Sequence, residues 1–277
     1  MIDAHHHLWD PAVRDYPWLA GEALAPIRRA YTLQELRRET GGGARTVLVQ
    51  TVSSLEETRE FLRVAAASDG LIAGVVGWVD LTAPDVVDQL AALREGPGGQ
   101  RLVGVRHQVQ DEPDPQWLAR PEVRLGLRAV ADAGLAYDLL VLTPQLPVAR
   151  RLVEELPELR WVLDHAAKPP IADGVVQPWA DKLCRLAALP QVSCKLSGLV
   201  TEARWHDWSA AGIAPYADVV FDAFGPDRVM YGSDWPVCEL AASYADVLDL
   251  ARQLTSGLSE AETTAVFGST AERVYRL

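Results

Sequence analysis

Eight short apolar runs alternate with helical segments along the whole chain, and this alternation constrains the fold more than any other feature. The strand candidates are Ile2–His7, Thr46–Thr51, Ala73–Val79, Leu102–Gln108, Ala136–Leu142, Arg160–His165, Val192–Ser197 and Arg228–Ser233. Helical periodicity fills the gaps, at Leu33–Glu39, Leu55–Ser68, Asp85–Arg94, Pro121–Ala133, Pro144–Leu156, Trp179–Ala188 and Ala214–Phe224, and closes the chain at Tyr244–Thr255 and Ser259–Phe267. Near-continuous apolar strands separated by helices imply a parallel sheet covered on both faces. Eight such units in 277 residues predict a single-domain (β/α)8 barrel spanning residues 1–277. A doubly wound open sheet is the competing architecture. It usually carries a glycine-rich turn after its first strand. Here histidines stand in that place, and Gly41–Gly43 precede a strand rather than follow one.

Charge and composition narrow the function. The balance of 26 basic and 38 acidic residues gives −12, which argues against nucleic acid or an anionic membrane surface as partner. The three cysteines, Cys184, Cys194 and Cys238, show no CxxC spacing, so neither a disulfide framework nor a thiolate metal site is expected. No apolar run reaches membrane-spanning length and no signal segment precedes the first strand, so a soluble cytoplasmic protein is the expectation. Nothing in the sequence speaks to oligomeric state.

The strand ends carry the polar residues. Side chains alternate along a strand, so His5 and His7 share one face and His6 takes the other. Two imidazoles on one face can share a divalent metal if another strand delivers a third ligand. The second strand ends in Gln50, the fourth in Arg106-His107, the sixth in Asp164-His165, the seventh in Lys195 and Ser197, and the eighth in Asp234. Asp234 ends an apolar strand with no basic neighbour in sequence, and a buried charge needs a partner or a metal. His5, His7 and His165 can supply that partner directly or through an ion. Arg106 and His107 are adjacent, so only one points cleanly into the mouth; Arg106 suits a carboxylate or a polarised carbonyl oxygen. Lys195 shares a face with Ser197 and is expected at an open rim. The long connections 9–45 and 198–227 leave strands at their C-terminal ends and carry Trp9, Tyr16, Trp18, Trp205, Trp208 and Tyr216 as candidate pocket walls or rim packing.

Four motifs together resemble the amidohydrolase superfamily, and within it the lactonase branch. They are Ile2-Asp3-Ala4-His5-His6-His7-Leu8-Trp9-Asp10, Gly104-Val105-Arg106-His107-Gln108, Leu163-Asp164-His165-Ala166-Ala167-Lys168-Pro169 and Tyr231-Gly232-Ser233-Asp234-Trp235-Pro236. The chain is similar to aldonolactonases acting on fucono- and rhamnonolactones, and to dicarboxypyrone and sulfomuconolactone hydrolases. The resemblance implies a barrel with its site at the C-terminal rim. It matches His5 and His7 to a first-strand metal pair, His165 to a later-strand histidine and Asp234 to an eighth-strand aspartate. No lysine ends the second to sixth strands, where binuclear members carry a bridging lysine, so one divalent ion (zinc) or none is expected.

The expected reaction is water attack on a cyclic ester. Asp234 takes the proton, His165 or Arg106 steadies the oxyanion, and His5 and His7 hold the ion with His165 or Asp234. Gln50, His107, Lys195, Trp9 and Trp235 are the expected substrate contacts, and a small neutral sugar lactone is the expected substrate. Two other readings compete. One is a metal-dependent decarboxylase of aromatic or unsaturated acids on the same barrel; the other is an inactive barrel that binds a sugar acid.

Overall fold

A computed structural model describes residues 1–277. Eight strands form one parallel sheet in sequential order: β1 (Ile2–His6), β2 (Arg45–Val49), β3 (Ile72–Gly77), β4 (Leu102–His107), β5 (Ala136–Leu139), β6 (Arg160–Leu163), β7 (Val192–Leu196) and β8 (Val229–Tyr231). The sheet curls shut. Trp235, just past β8, bridges in parallel to His6 of β1, and Asp234 N–H donates to the His5 carbonyl at 2.8 Å. The architecture is the (β/α)8 barrel that the alternation predicts.

Helices α1 (Leu33–Glu39), α2 (Leu55–Ala66), α3 (Val86–Glu95), α4 (Pro121–Asp132), α5 (Leu146–Glu155), α6 (Trp179–Ala187), α7 (Ala210–Phe224) and α8 (Tyr244–Leu254) fill the intervals. Their starts follow local chemistry: the side chains of Thr32, Ser54, Ser209 and Ser243 each accept from a backbone N–H in the first turn. No helix is long and apolar enough to cross a membrane.

Two apolar cores result. The larger lies between sheet and helices. The smaller fills the barrel, where Ile2, Val47, Val76, Val103, Val162 and Met230 meet Val274 and Tyr275. Those last residues belong to a helix that the periodicity does not reveal. After α9 (Glu260–Thr264) the chain runs through a π-helical turn at Ala265–Ser269 into α10 (Thr270–Tyr275), which plugs the barrel bottom. The expected segment ends at Phe267, and the wider turn carries the helix past it.

Each strand ends one to three residues before the sequence predicts. His7, Gln50, His165, Ser197 and Asp234 therefore stand on the first irregular residues beyond the sheet, at the C-terminal mouth. There the backbone is free to adopt conformations a strand forbids.

Candidate active site

The first strand does not alternate simply. Ile2 and Ala4 point into the barrel core, yet His5 turns inward too, onto Lys195 and Asp164. A register shift between Asp3 and His6 accounts for this, because a bulge re-aims the side chains that follow it. His5 and His7 thus share the inner side, with their Nε2 atoms 3.1 Å apart. Asp3 and His6 lie outside: Asp3 accepts from Ser233 N–H across the β1–β8 seam, and His6 is buried with neither ring nitrogen partnered. That burial pushes His6 down to about 3.

Two strained segments bring in the partners. His165, Ala166, Ala167 and Lys168 all hold positive φ, between 49° and 58°, and Asp234 stands at 57°. Non-glycine residues there cost about 1–3 kcal/mol each and persist only when the surroundings over-determine them. The result is a cluster around one carboxylate: Asp234 Oδ1 lies 3.5 Å from His7 Nε2, 3.7 Å from His5 Nε2 and 4.0 Å from His165 Nε2. Gly198, at φ 67°, makes room, since a Cβ there would sit 2.7 Å from His165 Nδ1. Ser197 Oγ bonds that same nitrogen at 2.9 Å.

Arg106 completes the mouth. Its Nε and Nη2 donate to the Gln50 side-chain oxygen at 3.0 and 2.9 Å, Nη2 also to the Gln50 carbonyl, and Nη1 to Asp164 Oδ2 at 2.9 Å. This fork uses most of the guanidinium and leaves Nη1 beside His5 Nε2, at 3.4 Å. Burial works against the Asp234 carboxylate, but His165 and His7 outweigh it and hold its pKa below the ordinary value. Burial lowers His7, and brings His165 down to about 4. The mouth therefore presents an ionised carboxylate among neutral imidazoles at neutral pH.

A cavity of about 1000 Å³ opens above these groups. His7, Arg106, His165 and Asp234 line its base. Its walls are Arg14, Asp15 and Trp18 from the first long loop, Thr51–Ser54 after β2, Gln108, Gln110 and Asp111 after β4, and Lys168 after β6.

Five residues expected to touch substrate do not reach this cavity. Gln50 is buried beneath it and serves Arg106. His107 faces away, as adjacency to Arg106 requires: it stacks on Trp117 at 4.1 Å, accepts from Trp78 Nε1 and pairs with Glu112. Lys195 is on the inner face but one layer too deep, wholly buried against Asp138 and Asp164. Trp9 and Trp235 turn their indole N–H groups to the Ile27 carbonyl and to Glu239, and pack around Tyr31. Of the six loop aromatics, Trp18 alone lines the cavity; Trp205 and Trp208 bind loop carbonyls instead.

Sequence reasoning missed Asp138 and left Asp164 without a role. Asp138 sits mid-strand in Ala136-Tyr137-Asp138-Leu139, a charge in an apolar run, which is the signal that singled out Asp234. Asp138 bonds Lys195 Nζ at 2.5 Å and accepts from Tyr275 at 2.8 Å. Of the two carboxylates sharing the lysine, Asp164 also faces His5 and Arg106, and these outweigh burial to hold it well below the usual carboxylate range. Burial pushes Asp138 up to about 6.

The donor set suits a single divalent ion. Ligand atoms about 2 Å from a tetrahedral centre stand about 3.3 Å apart. The His5, His7 and Asp234 donors, at 3.1, 3.5 and 3.7 Å from one another, match that spacing. A second group, His5, Asp164 and His165, shares His5 with the first.

Comparison with known proteins agrees with this arrangement. A family profile described as Amidohydrolase matches residues 2–277. An L-fucono-1,5-lactonase of Burkholderia multivorans is 41% identical over 100% of this chain and 96% of its own length. One of Burkholderia ambifaria is 40% identical over 88% of this chain and 83% of its own. The crystal structure of a Burkholderia multivorans amidohydrolase with bound zinc superimposes with a TM-score of 0.93 at 39% identity, covering 100% of this chain and 99% of that one. The chain belongs to the amidohydrolase family.

Proposed function

We propose that this protein is a lactonase that opens the ring of a neutral sugar-acid lactone of the L-fucono-1,5-lactone type. The observation that carries the reading is the charge state of the mouth. Every cation lining the cavity is already paired: Arg106 with Asp164 at 2.9 Å, Arg14 with Glu60 at 2.9 Å, and Lys168 with Glu202 at 3.7 Å. Asp15 and Asp111 add negative charge to the same walls. An anionic ring or an aromatic acid finds no unpaired cation here, whereas hydroxyl groups find Ser53, Ser54, Gln108 and Gln110, and the Trp18 ring offers an apolar face. Relatives about 40% identical that act on L-fucono-1,5-lactone support the same substrate class.

In this reading Asp234 is the general base. Its ionised carboxylate takes a proton from the attacking water and returns it to the leaving alkoxide. With Ser197 donating to His165 Nδ1, the proton of His165 sits on Nε2, facing the cavity, where it is placed to meet the oxyanion as it forms. Arg106, whose Nη1 hydrogens are directed at Asp164 and at His5 Nε2, adds its positive charge at the base of the same cavity. The residues that would hold an ion are His5, His7 and Asp234, and zinc is the proposed metal. When bound, it supplies Lewis acidity toward the carbonyl and acidifies water.

A pH-stat panel tests the assignment, with neutral sugar lactones, a dicarboxylated pyrone and aromatic acids as substrates. Proton release from the sugar lactones is expected. Asp234→Asn should lower that rate by about 10²–10⁴-fold, the usual worth of a general base. Carbon dioxide from the acids with no lactone turnover would overturn the reading, and so would an Asp234→Asn enzyme of normal rate.

A further inference from the structure

Four aromatic rings link the cavity wall to the residue that follows Asp234. Trp18, on the wall, meets Trp9 at 5.2 Å between ring centroids; Trp9 meets Tyr31 at 5.1 Å, and Tyr31 meets Trp235 at 5.4 Å. Every contact is edge to face, with the positive edge of one ring on the negative face of the next, so each ring fixes the tilt of its neighbour. Trp9, Trp18 and Tyr31 belong to the first long loop, and Trp235 follows β8. Tyr31 N–H also donates to the Trp9 carbonyl at 2.8 Å, which closes residues 9–31 into a cap beside the cavity.

One carboxylate spans the joint between the two segments. Glu239 Oε2 accepts from the Tyr31 hydroxyl at 2.6 Å, and Oε1 accepts from Trp235 Nε1 at 2.9 Å. A carboxylate is acceptor-only and takes both donors at once. Burial, and then Glu239 itself, push the Tyr31 hydroxyl well above the ordinary tyrosine value, so it stays a donor. Arg29 lies over the Tyr31 ring at 3.7 Å, with Nη2 3.6 Å from Glu239 Oε2. Trp235 is in turn tied to the base of the cavity. Its carbonyl accepts from His7 N–H at 2.7 Å, and Asp234, the residue before it, donates its N–H to the His5 carbonyl at 2.8 Å. A tilt of Trp235 therefore pulls on Asp234 and His7 together.

We propose that Glu239 is a positioning residue: by holding Tyr31 and Trp235 on one carboxylate, it fixes the Trp18 wall relative to the Asp234 base. Glu239 lies outside the cavity lining, so it acts on substrate only through these two rings. The inference rests on the hydrolytic reading above for the role of Asp234, whereas the coupling between the two segments stands on their geometry alone.

Hydrogen–deuterium exchange of the full chain, read by mass spectrometry, tests the coupling without any substrate. Glu239→Leu strands two buried donors, because Tyr31 and Trp235 are almost wholly enclosed. Amides of the cap, such as Leu19 and Leu24, and of the turn after β8, such as Cys238 and Ala241, should then exchange about 10–100-fold faster, the worth of one hydrogen bond to a charged group. Glu239→Gln should restore slow exchange, since its amide oxygen accepts from Trp235 and its NH₂ donates to the Tyr31 oxygen. Tyr31→Phe keeps the ring, removes one hydroxyl and serves where the leucine variant does not fold. Though it lies in the cap, it should speed exchange in the turn after β8. Steady-state kinetics on a sugar lactone gives the second readout: Glu239→Leu should raise KM through the wall and lower kcat by about 10–10²-fold through the base. Slow exchange retained after β8 in Tyr31→Phe overturns the proposal. So does a Glu239→Gln protein as loose as Glu239→Leu, or a Glu239→Leu enzyme of unchanged kcat. A wild type without lactone turnover refutes the proposed substrate instead, and the exchange comparison then decides the coupling by itself.

Discussion

Gly198 stands at φ 67° directly behind His165, and replacing it with alanine separates what this turn contributes to folding from what it contributes to the site. An alanine Cβ would lie 2.7 Å from His165 Nδ1, 3.0 Å from its Cγ and 3.3 Å from Asp234 Oδ2. The imidazole has little room to retreat, because its Nδ1 is already bonded to Ser197 and its ring lies 4.4 Å from that of His5. Gly174 supplies the control: it has nearly the same φ, 66°, in an exposed turn with nothing within 4 Å of the added carbon. Gly174→Ala should therefore cost only the left-handed backbone penalty, about 1–2 kcal/mol, and leave kcat/KM unchanged. Gly198→Ala adds a packing clash of about 1–3 kcal/mol. Because it displaces His165 and Asp234 together, kcat/KM should fall by about 10²-fold, the usual effect of an ångström-scale misplacement. Thermal unfolding and steady-state kinetics on a sugar lactone, run in parallel for both variants, measure the two effects. A Gly198→Ala enzyme as active as Gly174→Ala would show that the tight fit behind His165 has no part in positioning the site.

Arg106→Lys keeps the charge but cannot span Gln50 and Asp164; a loss of about 10²–10³-fold in kcat/KM and about 1–3 kcal/mol in denaturant stability is expected. Retention of wild-type kcat/KM would remove Arg106 from the chemistry. In metal-free enzyme the acid limb of kcat/KM should follow protonation of the base Asp234 and so lie below the ordinary carboxylate range, whereas a limb near the ordinary imidazole value of 6.5 would mean that a histidine and not Asp234 is the base. Stability should behave differently from activity. Buried His6, held at about 3 when folded, takes up a proton readily only when unfolded, so stability falls as pH drops from 6.5 toward 3, by on the order of 1.4 kcal/mol per unit. His6→Phe should flatten that slope by one proton without lowering kcat, as measured by denaturation at pH 7 and pH 5; an unchanged slope refutes the assignment.

Much of the site was legible because barrels place chemistry at strand ends. The pairing of His5 with His7, the isolation of Asp234 in an apolar run and the adjacency of Arg106 and His107 each carried a direction that the geometry respects. Depth was not legible. Lys195 and Ser197 share a face, yet Ser197 reaches His165 while Lys195 lies a layer lower on Asp138. Strand position alone does not say how far below the mouth a residue lies, because that depends on the stagger between neighbouring strands. Aromatic residues misled for a related reason: Trp9 and Trp235 flank the mouth in sequence but satisfy their indole N–H groups elsewhere, which turns them into supports.

The sequence by itself determined the barrel, its single sheet order and the residues that gather at its mouth, because periodicity and polar strand ends are local properties. Only the tertiary structure decided which of them touch solvent and which cation sits in the floor. Those depend on contacts between strands 30 to 190 residues apart, on a bulge in the first strand and on a left-handed turn after the sixth. Each is set by packing around the whole ring.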